Sequence, residues 1–163
     1  MRYILIVLIG FTFIACKNDY DKSFFNETLG LNIKSVESLY SWEELSSLQG
    51  EGLSIDIFTY TNVDDALLIK EPFIYPIDKD NKIWKTYKWS KEPKTKEELE
   101  LLYNYKIDNS IVQEKINEII TLIEKGKNYY SYYAKEVDDN QISIELYIVD
   151  DDNKKIYSYY VSV

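Results

Sequence analysis

The spacing of apolar and polar residues predicts two neighbouring strands in the first third of the chain. Residues 53–61 place Leu53, Ile55 and Ile57 on one side and polar residues on the other. This period of two is typical of a half-buried strand. Residues 35–45 alternate only in part and are predicted to form a second strand, separated from the first by a loop that contains two glycines.

Three further strands are predicted at the end of the chain, over residues 128–137, 141–150 and 154–163. The segments between them are short and rich in Asp and Asn, which are common turn residues. Strands joined by such short turns pair as an antiparallel meander. Residues 62–94 are the least regular part of the chain, and one more strand is predicted within them, at 82–89.

The period changes to 3.6 between residues 95 and 126, which predicts two helices. Thr95 and Glu98 fit the capping box that opens a helix, and Ser110 and Gln113 fit a second one. Gly126 is predicted to end the second helix. The apolar stripe of this helix consists of Val112, Ile116, Ile119, Ile120 and Ile123.

Strands, then helices, then strands in this order predict a single α+β domain over residues 23–163. A short helical turn closed by Gly30 is predicted at its start, over 23–30. We expect an antiparallel sheet of about five to six strands that ends in the meander, with two main helices packed on one face.

Residues 3–15 form an apolar segment that follows Arg2 and ends at polar residues. As a helix it would be about 20 Å long, which is too short for the roughly 30 Å hydrocarbon core of a bilayer. A short positive start and an apolar stretch of this length are typical of an export signal. We therefore predict that residues 1–15 are a signal segment.

The end of this segment, Ile14, Ala15 and Cys16, resembles the lipobox of bacterial lipoproteins, although Phe13 stands where the family usually has Leu. The resemblance implies cleavage between Ala15 and Cys16 and acylation of the Cys16 thiol. Residues 16–22 would then be a lipidated tether, and its Lys-then-acid composition resembles the surface-export tag of Bacteroidota lipoproteins. A plain secretory signal followed by a free cysteine, or a buried N-terminal strand, are the alternatives.

Composition excludes several classes of function. The formal net charge is −9 and Arg2 is the only arginine, whereas nucleic-acid binding requires a basic surface. The chain has no histidine and a single cysteine, so the commonest general base, the commonest metal ligand and an intramolecular disulfide are all missing. We expect no cofactor, no bound metal and no nucleic-acid partner.

Acidic residues offer two candidates for chemistry. The acidic turns at 78–82, 137–140 and 150–155 are only faintly similar to calcium-binding loops, and ordinary turns are the favoured interpretation. The predicted hairpin of 35–61 carries a group of carboxylates that could serve glycoside hydrolysis, although a structural or solvated role is favoured. The members of this group are Glu43, Glu44, Glu51 and Asp56.

Sixteen tyrosines suggest a binding surface, because Tyr combines an apolar ring with a polar hydroxyl. If one sheet face is exposed, Tyr147, Tyr157 and Tyr159 could form an aromatic platform for a sugar or a protein. Cross-strand packing within the sheet is the alternative. The glycine turn at 49–52 and the Tyr-rich final strands are loosely similar to small bacterial α+β proteins of no known activity.

Together these observations predict a lipid-anchored protein of the bacterial cell envelope, in the outer membrane and either periplasmic or surface-exposed. Its expected partners are the bilayer, through Cys16, and a protein or glycan ligand. We expect a non-enzymatic binding module, of an inhibitor-like or immunity-like kind. The alternatives are a carboxylate-dependent enzyme acting on envelope polysaccharide and a purely structural envelope component.

Overall fold

The computed structural model describes residues 21–45, 52–64, 66–92, 94–137 and 140–163. The predicted signal segment, the cleavage flank Ala15 and the acylation site Cys16 lie outside the described residues. The same is true of Glu51 and of most of the predicted tether.

Strands make up most of the regular structure in the described part of the chain. The strands are β1 (Ile33–Leu45), β2 (Gly52–Asn62), β3 (Trp84–Ser90), β4 (Tyr129–Val137), β5 (Asn140–Asp150) and β6 (Lys155–Ser162). The helices are α1 (Glu100–Asn104) and α2 (Ser110–Lys125), and a π-helical turn, Phe24–Thr28, precedes β1. Each predicted strand overlaps an observed one.

The six strands form one antiparallel sheet in the order β1-β2-β6-β5-β4-β3. The predicted α+β class with an antiparallel sheet is therefore confirmed, and so is the meander of β4, β5 and β6. The prediction of two main helices packed on one face stays a prediction, because the sheet dominates and α1 has only five residues.

Successive side chains of a strand point to opposite faces of the sheet, and each face here contributes to its own apolar cluster. On the first face, strand side chains and side chains from both helices share one cluster. From the helical region it contains Leu99, Leu102, Val112, Ile116, Ile119 and Ile123. From the strands it contains Leu53, Ile55, Ile57, Tyr130, Tyr132, Ala134, Ile144, Leu146, Ile148, Tyr157, Tyr159 and Val161.

The second face is covered in part by segments other than α1 and α2. The π-turn, the residues after it and part of the long loop between β2 and β3 contribute the covering side chains, namely Phe25, Leu29, Leu31, Leu68 and Ile69. Beneath them lie Phe58, Tyr60, Tyr133, Tyr147, Val149 and Ile156 of the sheet. The second face is thus a second core and not an open surface over this region.

The structure corrects both predicted helix starts. Thr95 and Glu98 form the two reciprocal hydrogen bonds of the predicted capping box, but these bonds belong to a turn before α1, which begins at Glu100 after Leu99 and has no side-chain cap. The predicted box of Ser110 and Gln113 is wrong. The N-cap of α2 is Asn109, whose side-chain oxygen accepts hydrogen bonds from two backbone N–H groups of the first turn, and Asn is among the best N-cap residues.

Strand β1 contains a β-bulge that explains its partial alternation. Ser38 pairs with Phe58 and Tyr40 pairs with Ile57, so Leu39 is an extra residue. One extra residue moves all following side chains to the opposite face. Val36 therefore packs against the second cluster, whereas Tyr40 packs against the first.

Candidate functional site: an acidic strand edge and an apolar loop tip

The three tyrosines predicted to form an exposed platform are core residues, so that prediction is wrong for the described structure. Tyr147, Tyr157 and Tyr159 each expose 2% or less of their surface. Tyr147 belongs to the second cluster and the other two to the first, so they point to opposite faces. The physical reason differs between the faces: the π-turn and the loop cover Tyr147, whereas Tyr157 and Tyr159 share a cluster with side chains of the helical region.

Burial also shapes the chemistry of these hydroxyl groups. Tyr157 donates a hydrogen bond to Glu118 of α2 at 2.8 Å. The hydroxyl of Tyr159 is buried and has no hydrogen-bond partner. Burial is the main cause that raises the pKa of both phenols above the ordinary value. These groups tie helix to sheet or fill the core, and they are not placed to meet a ligand.

Of the hairpin carboxylates that were predicted as candidates for chemistry, the structure describes three, and one of these is buried and two are exposed. Asp56 is 5% exposed and accepts a hydrogen bond of 2.6 Å from the Ser41 hydroxyl. Burial raises the pKa of Asp56, and the nearby charge of Glu43 raises it further, whereas the bond from Ser41 lowers it. Glu43 and Glu44 are exposed on β1. Burial and a neighbouring negative charge both disfavour the ionised form of a carboxyl group, so both raise its pKa.

The acidic turns behave as turns. Asp150 is buried and accepts hydrogen bonds from both the backbone and the side chain of Asn153. In the turn near residue 80, Asp78 forms an ion pair of 2.6 Å with Lys88. Of the turn at 137–140, the two central aspartates lie outside the described residues. Among the residues that the structure describes, no group of three His, Cys, Asp or Glu could hold a metal ion.

The outer edge of β1 is a long acidic surface, which we call the β1 edge (residues 34–45). At the start of the strand, the side chain of Asn26 exchanges two hydrogen bonds of 3.0 Å with the backbone of Ile33. Beyond that point, no described strand pairs with the outer side of β1. Three glutamates and one lysine are exposed along this edge, namely Glu37, Glu43, Glu44 and Lys34.

A second surface is the apolar tip (residues 72–74) of the loop between β2 and β3. Phe73 is 90% exposed and Ile74 is 54% exposed. The tip is a tight turn, because the N–H groups of Ile74 and Tyr75 both donate to the Glu71 carbonyl, at 2.9 and 3.0 Å. Pro72 suits such a turn because its φ is fixed.

The tip forms one wall of an open groove of about 530 Å³. Tyr129, Lys91 and Glu92 also line this groove, and Lys91 lies 4.3 Å from the centre of the Tyr129 ring. Sequence reasoning missed this surface. The available signal was an apolar pair, Phe73 and Ile74, between two prolines, a position where a core strand is not expected.

The loop is held to the sheet by a charged cluster centred on Lys79. Its ammonium forms an ion pair with Glu145 and lies 4.0 Å from the Trp84 ring and 4.7 Å from the Tyr133 ring. Glu145 also accepts a hydrogen bond from the Tyr147 hydroxyl. These contacts hold the end of the loop on the sheet and thereby keep the exposed tip in a defined position.

Comparison of the chain with protein-family models, with curated proteins and with solved structures finds no match. In the described part of the chain, no helix is both long and apolar enough to cross a membrane. Function therefore has to be inferred from the surfaces of the described residues, and the β1 edge and the apolar tip are two such surfaces.

Proposed function

We propose that the protein is an envelope lipoprotein, anchored to the bilayer through Cys16, that acts as a non-enzymatic binding module. The support for the anchor is the lipobox-like run Ile14, Ala15 and Cys16 after an apolar segment. Diacylglycerol plus a further acyl chain would hold the protein stably, whereas one chain is marginal.

The observation that carries the binding role is the β1 edge. An unpaired strand edge can accept an extended peptide as an additional strand, with main-chain hydrogen bonds providing much of the affinity. The glutamates of this edge disfavour pairing with the β1 edge of a second copy of the same chain, because like charges would meet. The ligand that fits is an extended segment of a protein that carries Lys or Arg, as an inhibitor or an immunity protein would bind.

The helices have a supporting place in this proposal. We take α1 and α2 to be the two helices that cover the first face, since their side chains share a cluster with strands of that face. With the first face covered by helices and much of the second by the loop, the β1 edge is a part of the described sheet that is left for a ligand. At the other edge strand, β3, the N–H of Trp89 donates to the Tyr75 carbonyl of the loop.

The test places a photo-crosslinking amino acid at Ser38 of the acylated, full-length chain in envelope membranes. We expect a crosslinked partner whose yield falls several-fold when Glu43→Lys and Glu44→Lys are combined. The matched control, Glu114→Lys with Glu124→Lys on α2, makes the same change in net charge and is expected to leave the yield intact. Equal yields from both double variants, or no acyl group on Cys16 by mass spectrometry, would contradict the proposal.

The second candidate function is a carboxylate-dependent hydrolase acting on envelope polysaccharide. The observation that favours it is Asp56, a buried acid with a raised pKa whose neighbour Glu43 is exposed. Turnover of cell-wall polysaccharide that Asp56→Asn abolishes, in a variant with an unchanged circular dichroism spectrum, would establish the enzyme. Absence of turnover across substrates would leave the binding module as the function.

A further inference from the structure

The apolar tip has chemistry that suits a lipid surface, and it lies beside the start of the anchored domain. We propose that Phe73 and Ile74 insert into the interfacial region of the same bilayer that holds Cys16. This inference rests on the proposed lipid anchor and adds a second, protein-borne membrane contact. Its consequence is that the domain has a fixed orientation on the membrane and does not swing freely on its tether.

Exposure of the tip is the first argument. Phe73 is 90% exposed, so it leaves in water an apolar area whose burial in a bilayer is favourable. Leu67 and Ile77, elsewhere on the same loop, are also largely exposed, at 79% and 50%. Several large apolar side chains exposed along one loop suit contact with another apolar phase.

Rigidity of the loop is the second argument. On one flank of the tip, the N–H of Lys70 donates to the Gly30 carbonyl at 2.9 Å. On the other flank, the N–H of Ile77 donates to the Thr28 carbonyl at 2.9 Å. Behind the tip, the Trp89 indole donates to the Leu29 carbonyl at 2.7 Å. The side chains at the tip are therefore presented without a large ordering cost on binding, which is what a preorganised contact requires.

The position of the tip relative to the anchor selects the bilayer as its occupant. The π-turn begins at Phe24, eight residues after Cys16, so a fully extended tether reaches at most about 28 Å. The π-turn and the residues just after it accept the hydrogen bonds that hold both flanks of the tip, and Lys70 also reaches the Asn26 carbonyl at 2.8 Å. A tip fixed to this part of the domain stays within reach of the membrane whenever the acyl chains are inserted.

Charge around the tip indicates which lipid surface it suits. Two adjacent pairs flank it, Lys70 with Glu71 and Lys91 with Glu92, and all four side chains are exposed. Their charges cancel, so attraction to anionic lipid, which depends on clustered Lys and Arg, is not the driving force. We expect insertion into a zwitterionic surface, driven by apolar burial and nearly independent of salt.

The experiment uses the acylated chain, in which Cys16 carries lipid and leaves no free thiol. Glu71→Cys, combined with Lys91→Gln so that the flanking charges still cancel, then provides one labelling site next to an intact tip, and an environment-sensitive fluorophore is attached there. The protein is reconstituted into vesicles of phosphatidylcholine and phosphatidylethanolamine that contain lipids brominated on their tails. We expect strong quenching by the brominated lipids, unchanged between low and high NaCl.

Two comparisons make the result decisive. A label at Ile111→Cys, an apolar residue that is 62% exposed at the start of α2, is expected to be quenched several-fold less. Adding Phe73→Ser and Ile74→Ser to the Glu71→Cys protein is expected to reduce quenching to that control level. Equal quenching at both labels would overturn the membrane contact. A change in the fluorescence of the label at Glu71→Cys that occurs only after envelope protein is added would overturn it as well. Mass spectrometry that finds no acyl group on Cys16 would instead contradict the proposed anchor.

Discussion

At the scale of single residues, burial decides what the polar and aromatic side chains do. The sequence identifies Tyr157 and Tyr159 as strand residues, and both lie in strands. Their exposure depends on which distant segments cover each sheet face, and alternation within a strand carries no information about that cover. Phe73 is the opposite case, an apolar residue that the fold leaves in water. Composition and spacing could not separate these two outcomes.

Asp56 gives a prediction at this scale. Its pKa is raised in the folded protein, so the folded state holds this proton more tightly than the unfolded chain does. The resulting contribution favours folding at low pH, below the unfolded pKa, and is lost as pH rises through the folded pKa. We expect Asp56→Asn to raise the midpoint of thermal unfolding at pH 7 and to change it much less at acid pH.

The reference for this measurement is Glu37→Gln, which removes an exposed charge of β1 and whose effect on stability is expected to be small at both pH values. Thermal unfolding followed by circular dichroism from pH 4 to pH 8 provides the comparison. A stabilisation by Asp56→Asn that is equal at both ends of this range would show that the carboxylate does not titrate as its burial indicates.

At the scale of elements, the sequence predicts which segments are strands and helices better than it predicts how they begin and bend. The reciprocal hydrogen bonds of Thr95 and Glu98 are formed, because the two residues are only three positions apart in sequence, but α1 itself begins later, at Glu100. The bulge at Leu39 was not predicted, since a bulge arises from pairing with β2 and its only sequence trace is a break in alternation. Asn109 and Ser110 are neighbours and both are favoured N-cap residue types, so the sequence pattern does not decide which of them begins the helix.

The N-cap of α2 provides the prediction for elements. Asn109→Ala removes the side-chain acceptor for the first-turn N–H groups of Ile111 and Val112. Loss of an Asn cap lowers the free energy of unfolding by about 0.5–2 kcal/mol. Chemical denaturation of the Asn109→Ala protein measures this loss.

Ser110→Ala is the matched control for the N-cap, because it deletes a hydroxyl one residue later, inside the helix. It is expected to change the unfolding free energy much less than Asn109→Ala does. The reverse order of effects would return the cap to Ser110, the residue that the sequence had predicted.

At the scale of the whole molecule, segments far apart in sequence complete the core. The π-turn and the loop between β2 and β3 meet over the second face, and Leu31 bridges to Ile69 there. No periodic pattern links these segments, which is why residues 62–94 were predicted as an irregular region apart from the strand at 82–89. The antiparallel sheet could be predicted from alternation and short turns, whereas the cover of its second face could not.

Gly30 tests whether this cover belongs to one cooperative fold. Its φ is +69°, and an added Cβ would lie 2.1 Å from Cγ of the Tyr75 ring in the loop. The left-handed conformation alone costs a non-glycine residue roughly 1–2 kcal/mol, and the clash adds to that because backbone on both sides is hydrogen-bonded. We expect Gly30→Ala to lower the midpoint of global thermal unfolding, with a single transition retained. Gly126→Ala is the control, because Gly126 has a φ of +62° after α2 and its substitution measures the backbone cost at a helix end. If Gly30→Ala lowers the midpoint no more than Gly126→Ala does, the loop packs independently of the sheet.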